Sequence, residues 1–190
     1  GSGTGSTTLN NGLIYGNYPY GTRVEDQTIS VNSPDVIGIH GIFEMATLPS
    51  EDNNDPSAPK MVLGSLTSST TTTSEFVIGE QIVGQTSGAI AIVAEKVSDT
   101  QISFIHKNDI TFKEGEVIVA QESLVEGTIV TLDSSSFNIT ENYEFNSGQE
   151  STFLNYGSII RKETADAPEK RIKVYFSNGY YESTDDGDIT

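Results

Sequence analysis

Two copies of one short phrase constrain this chain more than any other feature. Phe76-Val77-Ile78-Gly79-Glu80-Gln81-Ile82-Val83 returns as Phe112-Lys113-Glu114-Gly115-Glu116-Val117-Ile118-Val119, an offset of 36 that also pairs Gln85 with Gln121 and Ser87 with Ser123. Past that point the alignment is read with three extra residues in the second copy, which lays Gly88-Ala89-Ile90 over Gly127-Thr128-Ile129. Each copy then reads as aromatic anchor, Gly-Glu turn, short strand, polar turn, second strand. Gly79 and Gly115 are expected in equivalent turns, in a backbone conformation disfavoured for other residues, and Phe76 and Phe112 in equivalent packing positions.

Glu80 and Glu116 form the most conspicuous carboxylate pair, the kind of pair that performs acid-base hydrolysis when two carboxyl groups flank a bond. Their duplication argues for structure instead. Catalysis asks two carboxylates to sit in different environments, whereas a repeat places them in the same one. No catalytic residue is assigned.

The remainder of the 190 residues is also turn-rich and β-like. Eight Phe and eight Tyr favour pleated, half-buried surfaces, and clusters of Gly, Ser, Thr, Asn and Asp between apolar runs mark frequent turns. With no Cys, neither disulfides nor thiolate metal sites contribute. No apolar run approaches the roughly 20 residues of a spanning helix, and the amino end lacks the pattern of a signal peptide. A net charge of −17 opposes nucleic acid and anionic membrane as partners, because Lys and Arg supply most of that affinity.

In chain order, residues 1–12 read as a flexible arm or linker, too polar to order themselves. Residues 13–66 form an N-terminal β segment, with tyrosines at 15, 18 and 20, a short strand at Thr28-Ile29-Ser30-Val31 and a strand from Val36 to Met45 that is apolar on both sides of the pleat. Its Gly38 and Gly41 mark a bulge or a close backbone approach. His40, without a second ligand at matching spacing, is read as a satisfied histidine rather than a metal ligand. Glu51, Asp52 and Asp55 stand in an acidic loop that offers calcium oxygen ligands but lacks EF-hand spacing, so no metal site is assigned. Lys60 to Leu66 reads as a strand and Thr67 to Ser74 as a loop or edge.

Residues 67–136 are taken as the two-copy subdomain, with Ser98-Asp99-Thr100 turning a hairpin that joins the two copies. From 137 to 190 the chain forms a C-terminal β module expected to pair with 13–66. Phe137 to Tyr143 to Phe145 alternates with polar residues as a strand buried on one face. Arg161, Lys162, Lys170, Arg171 and Lys173 hold half of the ten basic residues; they form either a partner-facing strip or internal compensation for an acidic protein. Asp185-Asp186-Gly187-Asp188 reads as an exposed turn, since its spacing is not that of an EF-hand.

Two groups of residues carry a resemblance. Phe-x-x-Gly-Glu-x-Ile/Val followed by Gly84-Gln85-Thr86-Ser87-Gly88-Ala89 resembles a repeat of tailed-bacteriophage structural proteins. The ordered series Gly148-Gln149, Phe153, Tyr156, Ile159-Ile160-Arg161-Lys162, Pro168, Arg171-Ile172-Lys173-Val174, Tyr180-Tyr181, Gly187-Asp188 resembles a module of tail-fibre and baseplate-associated proteins, notably of contractile-tailed phages of marine cyanobacteria. Arg23 to Ser30 is similar to part of such proteins as well. Glu150 departs from the module, which usually has a basic residue there, and the module normally continues past Gly-Asp, so the chain reads as a portion of a larger protein.

The expected fold is all-β, with short antiparallel strands in a sandwich or barrel-like arrangement around the repeat subdomain. The resemblance implies a non-enzymatic virion component of a tail, fibre or baseplate, without cofactor, assembling with other virion proteins as a homo-oligomer, a trimer or six-fold ring by analogy. The alternative is a receptor- or glycan-binding adhesin module, calcium-dependent or not, using Tyr15, Tyr18, Tyr20, Tyr180 and Tyr181.

Overall fold

The computed structural model describes residues 23–46, 56–68, 70–133, 136–149 and 156–179. Within them the chain is all-β: twelve strands and two short 3-10 turns, with antiparallel pairing wherever the register is defined. The arm at 1–12, the acidic loop of Glu51, Asp52 and Asp55, the tyrosines at 15, 18, 20, 180 and 181, Glu150 and Asp185 to Asp188 lie outside the described residues. Two compact units result, one of residues 1–42 with 139–190 and one of 43–138.

In the first unit, β1 (Thr28–Ser30) and β2 (Val36–Met45, of which the part to Ile42 belongs here) precede the C-terminal strands β10 (Tyr143–Asn146), β11 (Ser158–Arg161) and β12 (Ile172–Asn178). An early strand meets two late ones here, in the order β1-β11-β10, with Ile29 opposite Ile159 and Phe145 also opposite Ile159. β12 lies against β2. Ile29, Ile42, Tyr143 and Ile159 form a small core, flanked by Val31, Ile39, Ile139, Ile172 and Val174.

Two strand expectations require correction in this region. The run from Phe137 to Phe145 is not one strand: β9 (Ser136–Asn138) ends, a 3-10 turn at Thr140–Asn142 follows, and only then does β10 begin. Tyr143 is buried, but Phe137 and Phe145 are exposed: the turn breaks the alternation between Phe137 and Tyr143, whereas Phe145 shares the Tyr143 face of β10 and lies nearer its end. β2 is likewise not buried on both faces at its start, where Ile37 faces solvent. Gly38 has open space around it and an ordinary backbone.

The second unit is built on a closed six-stranded barrel. Its strands are β3 (Lys60–Gly64), β4 (Gln81–Gly84), β5 (Ile90–Ser98), β6 (Gln101–His106), β7 (Val117–Ala120) and β8 (Glu126–Asp133), ordered β3-β6-β5-β4-β7-β8 around the ring. Closure removes the open sheet edges that otherwise invite aggregation. Met61, Leu63, Phe76, Ile82, Val93, Ile102, Phe104, Phe112, Ile118 and Ile129 fill the interior. The Ser98 to Thr100 stretch is the expected hairpin, with Ser98 paired to Gln101.

The register shows that the repeat extends further than the sequence alignment. β4 and β7 pair about Val83 and Val119, flanked by Ile82 opposite Ala120 and Gly84 opposite Ile118. Gln81-Ile92, Ile82-Ala91 and Val83-Ile90 in β4–β5 recur at the same offset as Val117-Thr128, Ile118-Gly127 and Val119-Glu126 in β7–β8. The expected three-residue insertion is therefore absent. Gly88 corresponds to Leu124, and both take a left-handed backbone, at φ 74° and 60°. Residue identity misled the alignment because the second copy carries a leucine where a glycine is the default.

The β6 counterpart comes from outside the repeat. Val93 pairs with Phe104 and Glu95 with Ser103, skipping Ala94; Ile129 pairs with Leu63 and Thr131 with Val62, skipping Val130. The two bulges are equivalent, and Met61 pairs with Ile102 where β3 meets β6. β3 thus stands in the second half where β6 stands in the first, so each half is three antiparallel strands and the second takes its third strand from the chain before the repeat. The reading that began the repeat subdomain at 67 is corrected accordingly.

Candidate functional site

Among the described residues the repeated glutamates are the most conspicuous carboxylate pair, and their local structure explains why they do not stand free. Gly79 and Gly115 sit at φ 89° and 83°, a region open to glycine and strained for residues with a Cβ. In these turns the Gly79 amide donates to the Val93 carbonyl at 2.8 Å and the Gly115 amide to the Ile129 carbonyl at 2.7 Å. Phe76 and Phe112, the anchors before the turns, are both buried, 1% and 4% exposed. Both geometric expectations from the repeat hold.

Each glutamate then reaches into the opposite copy. The Glu80 carboxylate accepts from its own turn through the Val77 amide at 2.6 Å, and from the second copy through the Glu122 amide at 3.1 Å, the Ser123 amide at 2.9 Å and the Ser123 hydroxyl at 2.8 Å. Glu116 reciprocates with the Lys113 amide at 2.5 Å, the Thr86 amide at 3.3 Å, the Ser87 amide at 2.9 Å and the Ser87 hydroxyl at 2.9 Å. A Cβ built on Gly84 would approach Glu116 Oε2 and Ser87 Oγ to 2.7 Å, so glycine is what admits the carboxylate there.

Electrostatics follow from this geometry. Burial is the largest single influence on Glu80 and pushes its pKa up, but the donors from Ser123, Val77 and Glu122 together outweigh it and leave the carboxyl below its ordinary value. Glu116 behaves the same way: burial raises it, and donors from Ser87, Lys113 and Thr86 bring it net below. Hydrogen bonds to the charged form stabilise that form. Two ionised carboxylates with their oxygens already occupied are anchors, with neither a spare proton nor a free lone pair suited to acid-base work.

Other candidate positions are separate. His40 Nε2 lies 2.6 Å from the Ser177 hydroxyl across β2 and β12, and among the described residues no group of three or more His, Asp or Glu is arranged to hold a metal ion. Within the basic strip, Arg161 donates to the Ala165 and Glu25 carbonyls at 3.2 Å each, and Lys173 Nζ stands 5.3 Å from the Tyr175 ring centroid. Among the described residues no helix is long and apolar enough to cross a membrane.

Sequence reasoning did not single out His106. Its ring stacks on Phe112 at 5.4 Å and meets Phe104 edge-on at 5.1 Å, with a buried Nδ1 that has no hydrogen-bond partner. Burial lowers its pKa. Nor did it assign Ser87 and Ser123 as glutamate partners, although their shared offset was the available signal. No family model, curated protein or solved structure matches the chain.

Proposed function

We propose that the chain is a non-catalytic structural component of a tailed-phage virion, in a tail, fibre or baseplate, acting by association with other virion proteins. The observation that carries the non-catalytic part is the saturation of Glu80 and Glu116: the one duplicated carboxylate pair is committed to holding two halves of a barrel together. The virion assignment rests on the resemblance of the Phe-x-x-Gly-Glu phrase and of the C-terminal module. A closed barrel with internal cross-links is a rigid body suited to presenting surfaces, and assembly needs rigid surfaces more than clefts.

Mass spectrometry of purified phage particles, followed by localisation of the chain with a specific antibody in electron micrographs, tests the reading. Peptides of this chain in stoichiometric amount on the tail are the expected result. Their absence from particles of a phage that encodes it, or turnover of a polysaccharide by the purified protein, would overturn it.

A further inference from the structure

The internal repeat supplies its own control for distinguishing what the barrel requires from what it merely displays. Through Glu80 Oε1, which accepts both from the Val77 amide and from the Ser123 hydroxyl, the turn at 77–80 and the turn at 121–125 are fastened side by side. This joint carries three exposed apolar residues: Val77 at 39%, Ile78 at 54% and Leu124 at 69% exposure. At the equivalent joint, fastened by Glu116, the same positions are Lys113, Glu114 and Gly88, and the exposed apolar residues are Ile110 ahead of the turn and Val117 just after the glutamate, at 45% and 38%. The fold therefore does not ask for apolar side chains at the first joint. Leu124 is the sharpest case, because it holds a left-handed backbone at φ 60°, which leucine adopts at a cost, in order to stand in water.

The surroundings of the first joint are acidic. Glu75, Glu122 and Glu126 are exposed on the segments that form or adjoin it, and the Lys96 Nζ donates to the Ser74 carbonyl at 2.8 Å. We infer that the Val77-Ile78-Leu124 joint is a docking surface for a segment of a different protein that is apolar at its centre and flanked by Lys or Arg. A second copy of this chain fits poorly, since it would bring the same carboxylates on a protein of net charge −17; an anionic lipid surface fits poorly for the same reason. The inference rests on the reading that the chain works by protein association, and is independent of the phage assignment.

A synthetic Lys-Leu alternating peptide and its Glu-Leu counterpart are the probes, titrated into the full chain with amide shifts followed by NMR. The Lys-Leu peptide should shift the amides of Val77, Ile78 and Leu124 while leaving those of Lys113, Glu114 and Gly88 in place, and should weaken with added salt. The variant Ile78→Ser with Leu124→Gly keeps every charge and removes a positive-φ leucine, so its melting temperature should not fall; its affinity for the peptide should drop about tenfold or more. The proposal is overturned by unchanged affinity in that variant, by shifts at the Glu116 joint or elsewhere, or by equal binding of the Glu-Leu peptide. Broadening at the joint with protein concentration alone, or displacement of the peptide by phosphatidylglycerol vesicles, would likewise replace it with self-association or membrane contact. Absence of the chain from phage particles would remove the virion reading and leave the peptide result standing.

Discussion

The two joints of the barrel share a backbone and differ in almost every exposed side chain. Glu80 with Ser123 and Glu116 with Ser87 repeat the same four-donor arrangement. Phe76 and Phe112, and Gly79 and Gly115, repeat as well. Val77 against Lys113, Ile78 against Glu114 and Leu124 against Gly88 do not. The anchors, turn glycines, glutamates and their serine partners are held in common, because an unmet donor or a cavity costs stability in either copy; exposed positions, and a few buried ones such as Gly84 and Ala120, differ. The contrast separates framework from display without recourse to any other protein.

The severest test of that equivalence is at the anchors. Phe76→Ala and Phe112→Ala should each cost about 4 kcal/mol, the usual scale for emptying a buried phenylalanine site, and the two costs should agree closely in urea unfolding; a large disparity would break the symmetry of the core. Glu80→Ala and Glu116→Ala come next, at about 3 kcal/mol each, since each strands several buried donors. A thermal melt in which either change is nearly silent would show that the lock is not reciprocal.

Gly84→Ala should cost about 2 kcal/mol by overpacking, because its Cβ would press on the Glu116 seat. The equivalent position already carries Ala120, fully buried, so this substitution marks where the copies are not interchangeable. Chemical denaturation of the single variant measures it.

Acid should weaken the barrel over two pH ranges. His106 has a folded pKa below its ordinary 6.5, so the unfolded chain binds the extra proton first and stability declines as pH falls below 6.5 towards the folded value. Glu80 and Glu116 have folded values below 4.5; their contribution is present above 4.5 and is lost as pH falls through the folded values. His106→Gln should abolish the loss over the first range and leave that over the second, as read from melting temperature against pH. The smallest effect is a gain: Leu124→Gly should stabilise by about 1 kcal/mol by relieving the left-handed backbone, whereas Gly88→Leu should destabilise by about as much.

How far the fold was legible depended on how local its signals are. Gly79-Glu80 and Gly115-Glu116 announced equivalent turns because a turn is specified by neighbouring residues, and the Ser98 to Thr100 hairpin was readable for the same reason. The break at Thr140–Asn142 was not, since Phe137, Tyr143 and Phe145 keep an alternating pattern across it while the backbone does not. Leu124 hid the true register by occupying a position where glycine would have revealed it. The candidate site was half legible: the glutamates stood out, but their partners lie 43 and 29 residues away at Ser123 and Ser87.

The sequence alone determined that this is an all-β chain containing one unit twice, with its glutamates in like surroundings, because periodicity, turn residues and duplication are properties of short segments. Tertiary structure decided that the two copies close into one barrel, that β3 completes the second half, and that each glutamate is held by the other copy. Those outcomes depend on pairing between distant residues such as Met61 and Ile102, which ring closure brings together and no local pattern records.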